Sequence, residues 1–376
     1  MENTVYTTGA PGEMGEIIDF INYIFSQTKV PHDFKKLLPK VYGDGKEGYE
    51  AFHFLAKQNG KIVGCIADRP TELNFGGDIL NCGYVGSVSV HPYHRGEGHM
   101  KRLMADVISD ARAKGRDMLI LGGQRQRYGY FGFEPAGLKL VYSVTKTNLR
   151  HALSNVDDSD VKLRMMTELD VPEAMALWQR QSVRATRSRE GFLDELRSWS
   201  TIPVAVEHNG AFAGYIAGHE VDLSDEKLMP KAIKKYFELL DEFKLSFEVP
   251  LHDRACARYF GELCENSMLG SVSYINVLNW PNVLKTLLGF KHKYISPVND
   301  GKAVLDIEND GIFEIEVRDG EAVVMPLAQA PKDAVRLNHN EAERLFFGLA
   351  EACLDDTPIP LSWKGLPFFM SEQDAF

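Results

Sequence analysis

Two stretches of one chain, NGKIVGCIA at residues 59–67 and NGAFAGYIA at 209–217, place Asn, Gly, Gly, Ile and Ala at matching points 150 residues apart. Asn-Gly is the pair that a two-residue type I′ hairpin selects, because both of its central residues take positive φ. Each copy therefore predicts a tight turn running into a strand, and AFHFLAKQ and PVAVEH ahead of the turns supply the partner strands. No solenoid period is that long, so the recurrence reads as a duplicated domain. At 376 residues the chain exceeds one ordinary core and has room for two such copies and a third segment.

The polar, acidic run SNVDDSDVK at 154–162 marks the first boundary, and the second falls near 266–274, which divides the chain into 1–153, 160–268 and 269–376. The third segment changes pattern to close-set alternating strands, GKAVLDIENDGIFEIEVRDGEAVVM. Asp306, Glu308, Glu314 and Glu316 hold alternate positions there, which predicts a one-faced sheet packed on a helix. In RLNHNEAERLFFGLAEACL, Asn340 and Glu343 read as the cap and third-position acid of that helix. The predicted class is α/β with α+β character.

Hydrophobic residues at 44% and charged residues at 25% exclude a disordered or fibrous chain. The net charge of −11 is spread along the sequence, which argues against nucleic acid and anionic membranes and favours cationic substrates. The start, MENTVYTTGAPGEMGE, lacks the basic-then-apolar order of a signal peptide, and no run of about 18 uncharged apolar residues follows, so a cytoplasmic location is expected. Cys65, Cys82, Cys256, Cys264 and Cys353 show no Cys-x-x-Cys spacing and read as reduced, structural thiols. Trp178, Trp199, Trp280 and Trp363 could line a cleft, but scattered aromatics are more often core or interface, and they are read so.

The chemistry concentrates in VSVHPYHRGEGHMKRLMADVISDARAKGRDMLILGG. Met100, Leu103, Met104, Val107, Ile108 and Ala111 form one helical stripe, and DMLIL reads as a buried strand, giving strand, glycine turn, helix, strand. Arg95, Gly96 and Gly98 stand at the helix start, where unpaired N–H groups favour a phosphate. A glycine turn that merely starts a helix is an equal alternative on spacing alone. A Walker loop is excluded because no Gly-Lys-Ser/Thr is present, and a dinucleotide fingerprint because Lys101 occupies the third glycine's place.

Arg95-Gly-Glu-Gly98-His-Met100 after the VSV strand resembles the Arg/Gln-x-x-Gly-x-Gly/Ala signature of the GNAT N-acetyltransferases, with Met100 where that family has a small residue. RYGYFGFEPAG resembles the family's Tyr-x-x-x-Gly-Phe segment and puts Tyr128 four residues before Gly132. The order of segments, ending in Phe376, resembles the enhanced intracellular survival (Eis) type. That resemblance implies a catalytic GNAT domain at 1–153, a degenerate GNAT-like domain at 160–268 and a sterol-carrier-protein-like domain at 269–376.

It implies further that acetyl-CoA is the cosubstrate. Its pantetheine would pair with Val88, Ser89 and Val90, its pyrophosphate would lie on Arg95, Gly96, Glu97, Gly98, His99, Met100 and Lys101, and Gly123 and Gln124 would complete the contacts. Tyr128 is the expected general acid, with Tyr130 as its substitute, and the C-terminal carboxylate of Phe376 the expected base. The acceptor would be an amine: a polyamine, an aminoglycoside-like molecule or a lysine. A homo-oligomer, by resemblance a hexamer, is expected, with neither nucleic acid nor membrane as partner.

No metal is assigned, since His91, His94 and His99 are loop histidines with no acidic or cysteine partner evident. In the second copy KLSFEVPLHDRACARYFGEL reads as the counterpart of the phosphate turn, where Arg254-Ala-Cys256 replaces the glycines, so one cofactor site per chain is expected. The competing class is a non-catalytic coenzyme A or lipid carrier.

Overall fold

Both Asn-Gly turns form as the sequence requires, in a computed structural model that describes residues 4–28, 30–348 and 356–376. Asn59 and Gly60 take φ of 51° and 78°, Asn209 and Gly210 take 52° and 81°. The match goes deeper than the turn. The first hairpin pairs Gln58 with Lys61 and is bulged between Ala56 and Lys57, and the second pairs His208 with Ala211 and is bulged between Val206 and Glu207. Register and irregularity alike recur at the 150-residue offset.

β1 (Thr4–Thr8) is followed by α1 (Met14–Phe25), α2 (Phe34–Leu37) and α3 (Pro39–Tyr42). Ile17, Ile18, Phe20, Ile21 and Ile24 give α1 one buried face, each such side chain contributing about 1.5–3 kcal/mol. β2 (His53–Gln58) and β3 (Lys61–Phe75) make the hairpin, and β4 (Asp78–Val90) extends it. α4 (His99–Ala113) then crosses to β5 (Met118–Leu121), which lies parallel to β4, the predicted crossover unit. Leu103, Met104, Val107 and Ala111 bury the expected stripe. α5 (Arg125–Tyr128), β6 (Glu134–Ala136), β7 (Lys139–Thr145) and α6 (Lys146–Ala152) complete this part.

The next part runs β8 (Val161–Met165), α7 (Val171–Trp178), β9 (Val183–Ala185), α8 (Phe192–Arg197), β10 (Val204–His208), β11 (Ala211–Ala217), β12 (Glu220–Leu223), α9 (Met229–Leu240), β13 (Lys244–Pro250), α10 (Arg254–Leu263) and β14 (Asn266–Gly270). Its four-stranded sheet, β12-β11-β10-β8, repeats the order of β1 to β4. By element order the counterpart of the glycine turn is the segment 224–228 between β12 and α9, not the expected Arg254-Ala-Cys256 after β13. That segment, SDEKL, carries no glycine either.

β15 (Ser273–Val277) leads into α11 (Trp280–Tyr294), β16 (Gly301–Ile307), β17 (Gly311–Arg318), β18 (Glu321–Leu327), β19 (Val335–Leu337) and α12 (His339–Phe347). The sheet β18-β17-β16-β19 buries Leu305, Ile307, Phe313, Ile315 and Val317 on one face and leaves the acids on the other, as the alternation predicted. The cap of α12 sits two residues before the expected one: Asn338 and Glu341 form the capping box. Both Asn-x-x-Glu frames fit the sequence, but Glu343 is fully buried and accepts the Val277 N–H at 2.7 Å, while the Asn340 amide bonds Gly129 O at 3.1 Å.

Strands are exchanged across the expected boundaries. β15 inserts between β5 and β6, and β7 inserts between β13 and β14; β15 follows β14 as β7 follows β6, so by element order it is the last strand of the second half and each half lends one strand to the other. Cys65 and Cys82 are buried free thiols, Cys256 and Cys264 are free and partly buried, and Cys353 lies outside the described residues.

Candidate active site

The site begins with a fault in β4. Ala67 pairs with Gly86 and Cys65 with Ser89, so two residues, Ser87 and Val88, face Ile66 alone, and Ser87 takes a φ of 49°. The Tyr42 hydroxyl holds that bulge, 2.7 Å from Ser87 Oγ and 3.0 Å from Nε2 of buried His53, whose pKa burial lowers to about 4. The β4–β5 ladder ends at Val85 and Leu121, just before the bulge, so the two parallel strands part there. The His91 N–H bonds Val63 O on β3 at 2.8 Å. By the alternation of a strand, the peptide groups of Val88 and Val90 therefore point to the opposite, unpaired edge.

That edge borders a cleft of about 720 Å3, lined by Val88, Ser89 and Val90, by Arg95, Gly96 and Gly98, and by His99, Met100 and Lys101. Gly96 and Gly98 take φ of 87° and 86°, and a Cβ on either would meet nothing within 4 Å. The space above the turn is therefore open, and the positive φ is what demands glycine. No side chain caps α4, whose first N–H groups face this turn with the positive end of the helix dipole. Met100 is half-buried and packs onto the apolar cluster of Leu103 and Val107 while lining the cleft, which accounts for a large residue at that place.

Glu97, alone among the predicted turn residues, is absent from this lining. Its carboxylate bonds Gln58 Nε2 at 3.0 Å, His99 Nε2 at 3.1 Å and His94 Nδ1 at 3.2 Å. The histidines thus have the acidic partner that spacing did not reveal, and the ligand-type atoms of His94, Glu97 and His99 lie within 4.8 Å of one another.

A second cleft, of about 330 Å3, holds Gly123, Gln124, Tyr128 and Phe376 together and shares Phe25, Val88 and Arg127 with the first. Tyr128 is 6% exposed, lies flat on Gly123, where a Cβ would come 2.3 Å from its ring, and meets Phe133 edge-on. Burial raises its pKa, against a smaller lowering pull from Arg127, so the phenol is protonated at neutral pH. Tyr130 is 69% exposed, with Lys101 over its ring, and lines only the larger of these two clefts.

Phe376 is not frayed. Its ring stacks on Tyr84 at 6.4 Å, meets Tyr42 edge-on at 6.1 Å and lies against Gly86, where a Cβ would come within 1.7 Å of Cδ1. Buried Lys40 donates to the carbonyls of Gln373 and Ala375 and lies 3.5 Å from Glu195, and Trp199 Nε1 donates to Ala375 O at 3.2 Å. Buried Arg187 clamps Asp374 at 2.7 Å and Glu220 with both terminal nitrogens. Tyr128 and Phe376 were named from the sequence as site residues and Trp199 as one that could line a cleft; Tyr42, His53, Lys40 and Arg187 were not singled out, since no motif or spacing links them to this cleft.

The gap between β12 and β13, which matches the cleft of the first half by element order, is closed to about 70 Å3, with Phe369, Ser371 and Glu372 of the same tail in its wall.

Residues 6–136 match the acetyltransferase (GNAT) domain family. No curated protein matches the sequence. The whole chain is similar in fold to the GCN5-related N-acetyltransferase from Kribbella flavida (14% identity, 100% of this chain and 99% of that one, TM-score 0.69) and to that from Anabaena variabilis (14%, 99% and 98%, 0.69). It is also similar to Eis1 from Mycobacterium abscessus (14%, 100% and 100%, 0.65). The match to that acetyltransferase domain takes in the glycine turn, Gly123, Gln124 and Tyr128.

Proposed function

We propose that the chain transfers acetyl from acetyl-CoA to an amine by direct attack on the thioester. One observation carries this reading: a protonated tyrosine and the last residue of the sequence line one cleft, which shares Val88 and Arg127 with the cleft of the glycine turn. The residues fit the cosubstrate, because the turn is open, its helix is uncapped by side chains, and the Val88 and Val90 peptide groups are free to pair with an amide-bearing arm.

Acetyl-CoA supplies the activated acetyl group. The amine nitrogen bonds to the acetyl carbon as the carbon–sulfur bond breaks. The Phe376 carboxylate takes a proton from the nitrogen, and the Tyr128 hydroxyl gives one to the departing sulfur. In this reading the first half of the repeat is catalytic. The second half, its turn without glycines and its cleft filled by the tail, holds the C-terminus in place. The family resemblance further implies a cytoplasmic hexamer, to be checked by light scattering.

A carrier of coenzyme A or lipid is the alternative, but a carrier has no use for a protonated phenol in the cleft that Phe376 lines. The test follows thiol release from acetyl-CoA over a panel of amines. Tyr128→Phe is expected to cut kcat at least tenfold with acetyl-CoA affinity within about twofold, in line with the 10²–10⁴ typical of general acid catalysis. An unchanged kcat would remove Tyr128 from the mechanism, and calorimetry finding two equivalent acetyl-CoA sites per chain would overturn the assignment of the second half.

A further inference from the structure

The wall of the smaller cleft beyond Phe376 is apolar and aromatic. Phe25, Phe34, Leu37, Leu38 and Trp199 form it, and among the described residues no aspartate or glutamate side chain lines this cleft. Its one charged side chain is Arg127, a cation. His32, the other titratable group beside Tyr128, is stacked on Phe34 at 6.0 Å with Nδ1 bonded to Val30 O at 2.9 Å. The acidity of the whole chain is therefore not delivered here. A second or third ammonium entering this space would lose its hydration beside Arg127 and find no carboxylate side chain, which costs several kcal/mol per unpaired charge.

Trp199 is a built feature of the wall. It and Ser200 take φ of 58° and 60°, left-handed values that non-glycine residues adopt at a cost and that persist where their surroundings impose them. Trp199 is 39% exposed, and its ring is tied by Nε1 to the Ala375 carbonyl, one residue before Phe376. An aromatic face is thus held beside the group proposed as base, suited to an apolar body or to one ammonium over its ring.

We propose that the acceptor is a single primary amine carried on an aromatic or aliphatic body, an arylalkylamine in its simplest form, rather than a polyamine or aminoglycoside. This rests on the acetyltransferase reading and sharpens it.

The test measures thiol release by the full chain with acetyl-CoA and phenethylamine, tryptamine, spermidine, kanamycin or a lysine peptide. The arylalkylamines are expected to give kcat/KM at least tenfold above the polycations and the peptide. Trp199→Ala should raise the tryptamine KM at least fivefold with the acetyl-CoA KM unchanged. Faster turnover of spermidine, kanamycin or the peptide overturns the acceptor class alone, as does a Trp199→Ala variant with an unaltered tryptamine KM. No release with any amine, while calorimetry shows acetyl-CoA bound, overturns the acetyltransferase reading and the acceptor class with it.

Discussion

Gly86 decides whether Phe376 can occupy its place. A methyl group there would come within 1.7 Å of the Phe376 ring, so Gly86→Ala must push the ring aside or spread β4, at an overpacking cost of about 1–3 kcal/mol. The glycine turn proposed to hold the pyrophosphate lies ten residues further on and is untouched. The substitution is therefore expected to lower kcat by about 10²-fold, the scale set by a misplacement of about 1 Å, with coenzyme A affinity in calorimetry preserved. Loss of affinity in proportion to rate would show that Gly86 serves the cofactor instead.

Tyr128 allows a check of a different kind, since a general acid works only while protonated. Its pKa is raised by burial, so the fall in kcat assigned to it should begin above pH 10, the ordinary tyrosine value. A limb near pH 8 that vanishes in Tyr128→Phe would contradict the burial argument. Tyr128 and Arg95 were legible because their motifs are local. Lys40 was not, because it meets Gln373 across 333 residues and no spacing encodes that contact.

At the scale of elements, two short pieces govern the site: the bulge of β4 and the tail after Ser371. The bulge follows from Tyr42 and His53, which nothing in GYVGSVSV announces; the sequence pattern predicts the strand and not its fault. The tail is held by a buried network, with Lys40 bridging two of its carbonyls and Arg187 paired to Asp374 and Glu220. Burial lowers the Lys40 pKa to about 8, with Glu195 the main opposing influence.

Lys40→Met leaves the Gln373 carbonyl without its donor, the Ala375 carbonyl with Trp199 alone and Glu195 with one cation fewer, a change of about 3–5 kcal/mol for a broken buried pair. Carboxypeptidase, which the native chain should resist, is expected to release Phe376 from this variant rapidly, with coenzyme A binding retained. Equal resistance in both proteins would mean that Arg187 and the ring contacts hold the tail unaided. The cap of α12 teaches the same limit. Asn338 and Asn340 offer equivalent capping boxes, and only the burial of Glu343 against β15 chooses between them.

Across the whole molecule, the two matching hairpins were legible and the exchange of strands was not. A strand's alternation states which face is buried and is silent on its neighbours. Nothing in the sequence of β7 or β15 names its partners, yet β7 lies between β13 and β14 and β15 between β5 and β6. The core follows the same exchange. One cluster joins α1 (Ile17, Ile21) and β3 (Leu73, Phe75) to α11 (Leu284, Leu287), β17 (Phe313, Ile315) and the tail (Phe368, Phe376), while β7 contributes Tyr142 and Val144 to the core of the second half.

Unfolding either half must therefore remove a central strand from the other and expose its flanking edges. A chain of 376 residues built from independent domains would melt in separate steps. Here scanning calorimetry of the full chain is expected to show one transition, its calorimetric enthalpy close to the van't Hoff value. Two resolved peaks, one abolished by substitutions confined to the second half, would show that the exchanged strands do not couple the halves.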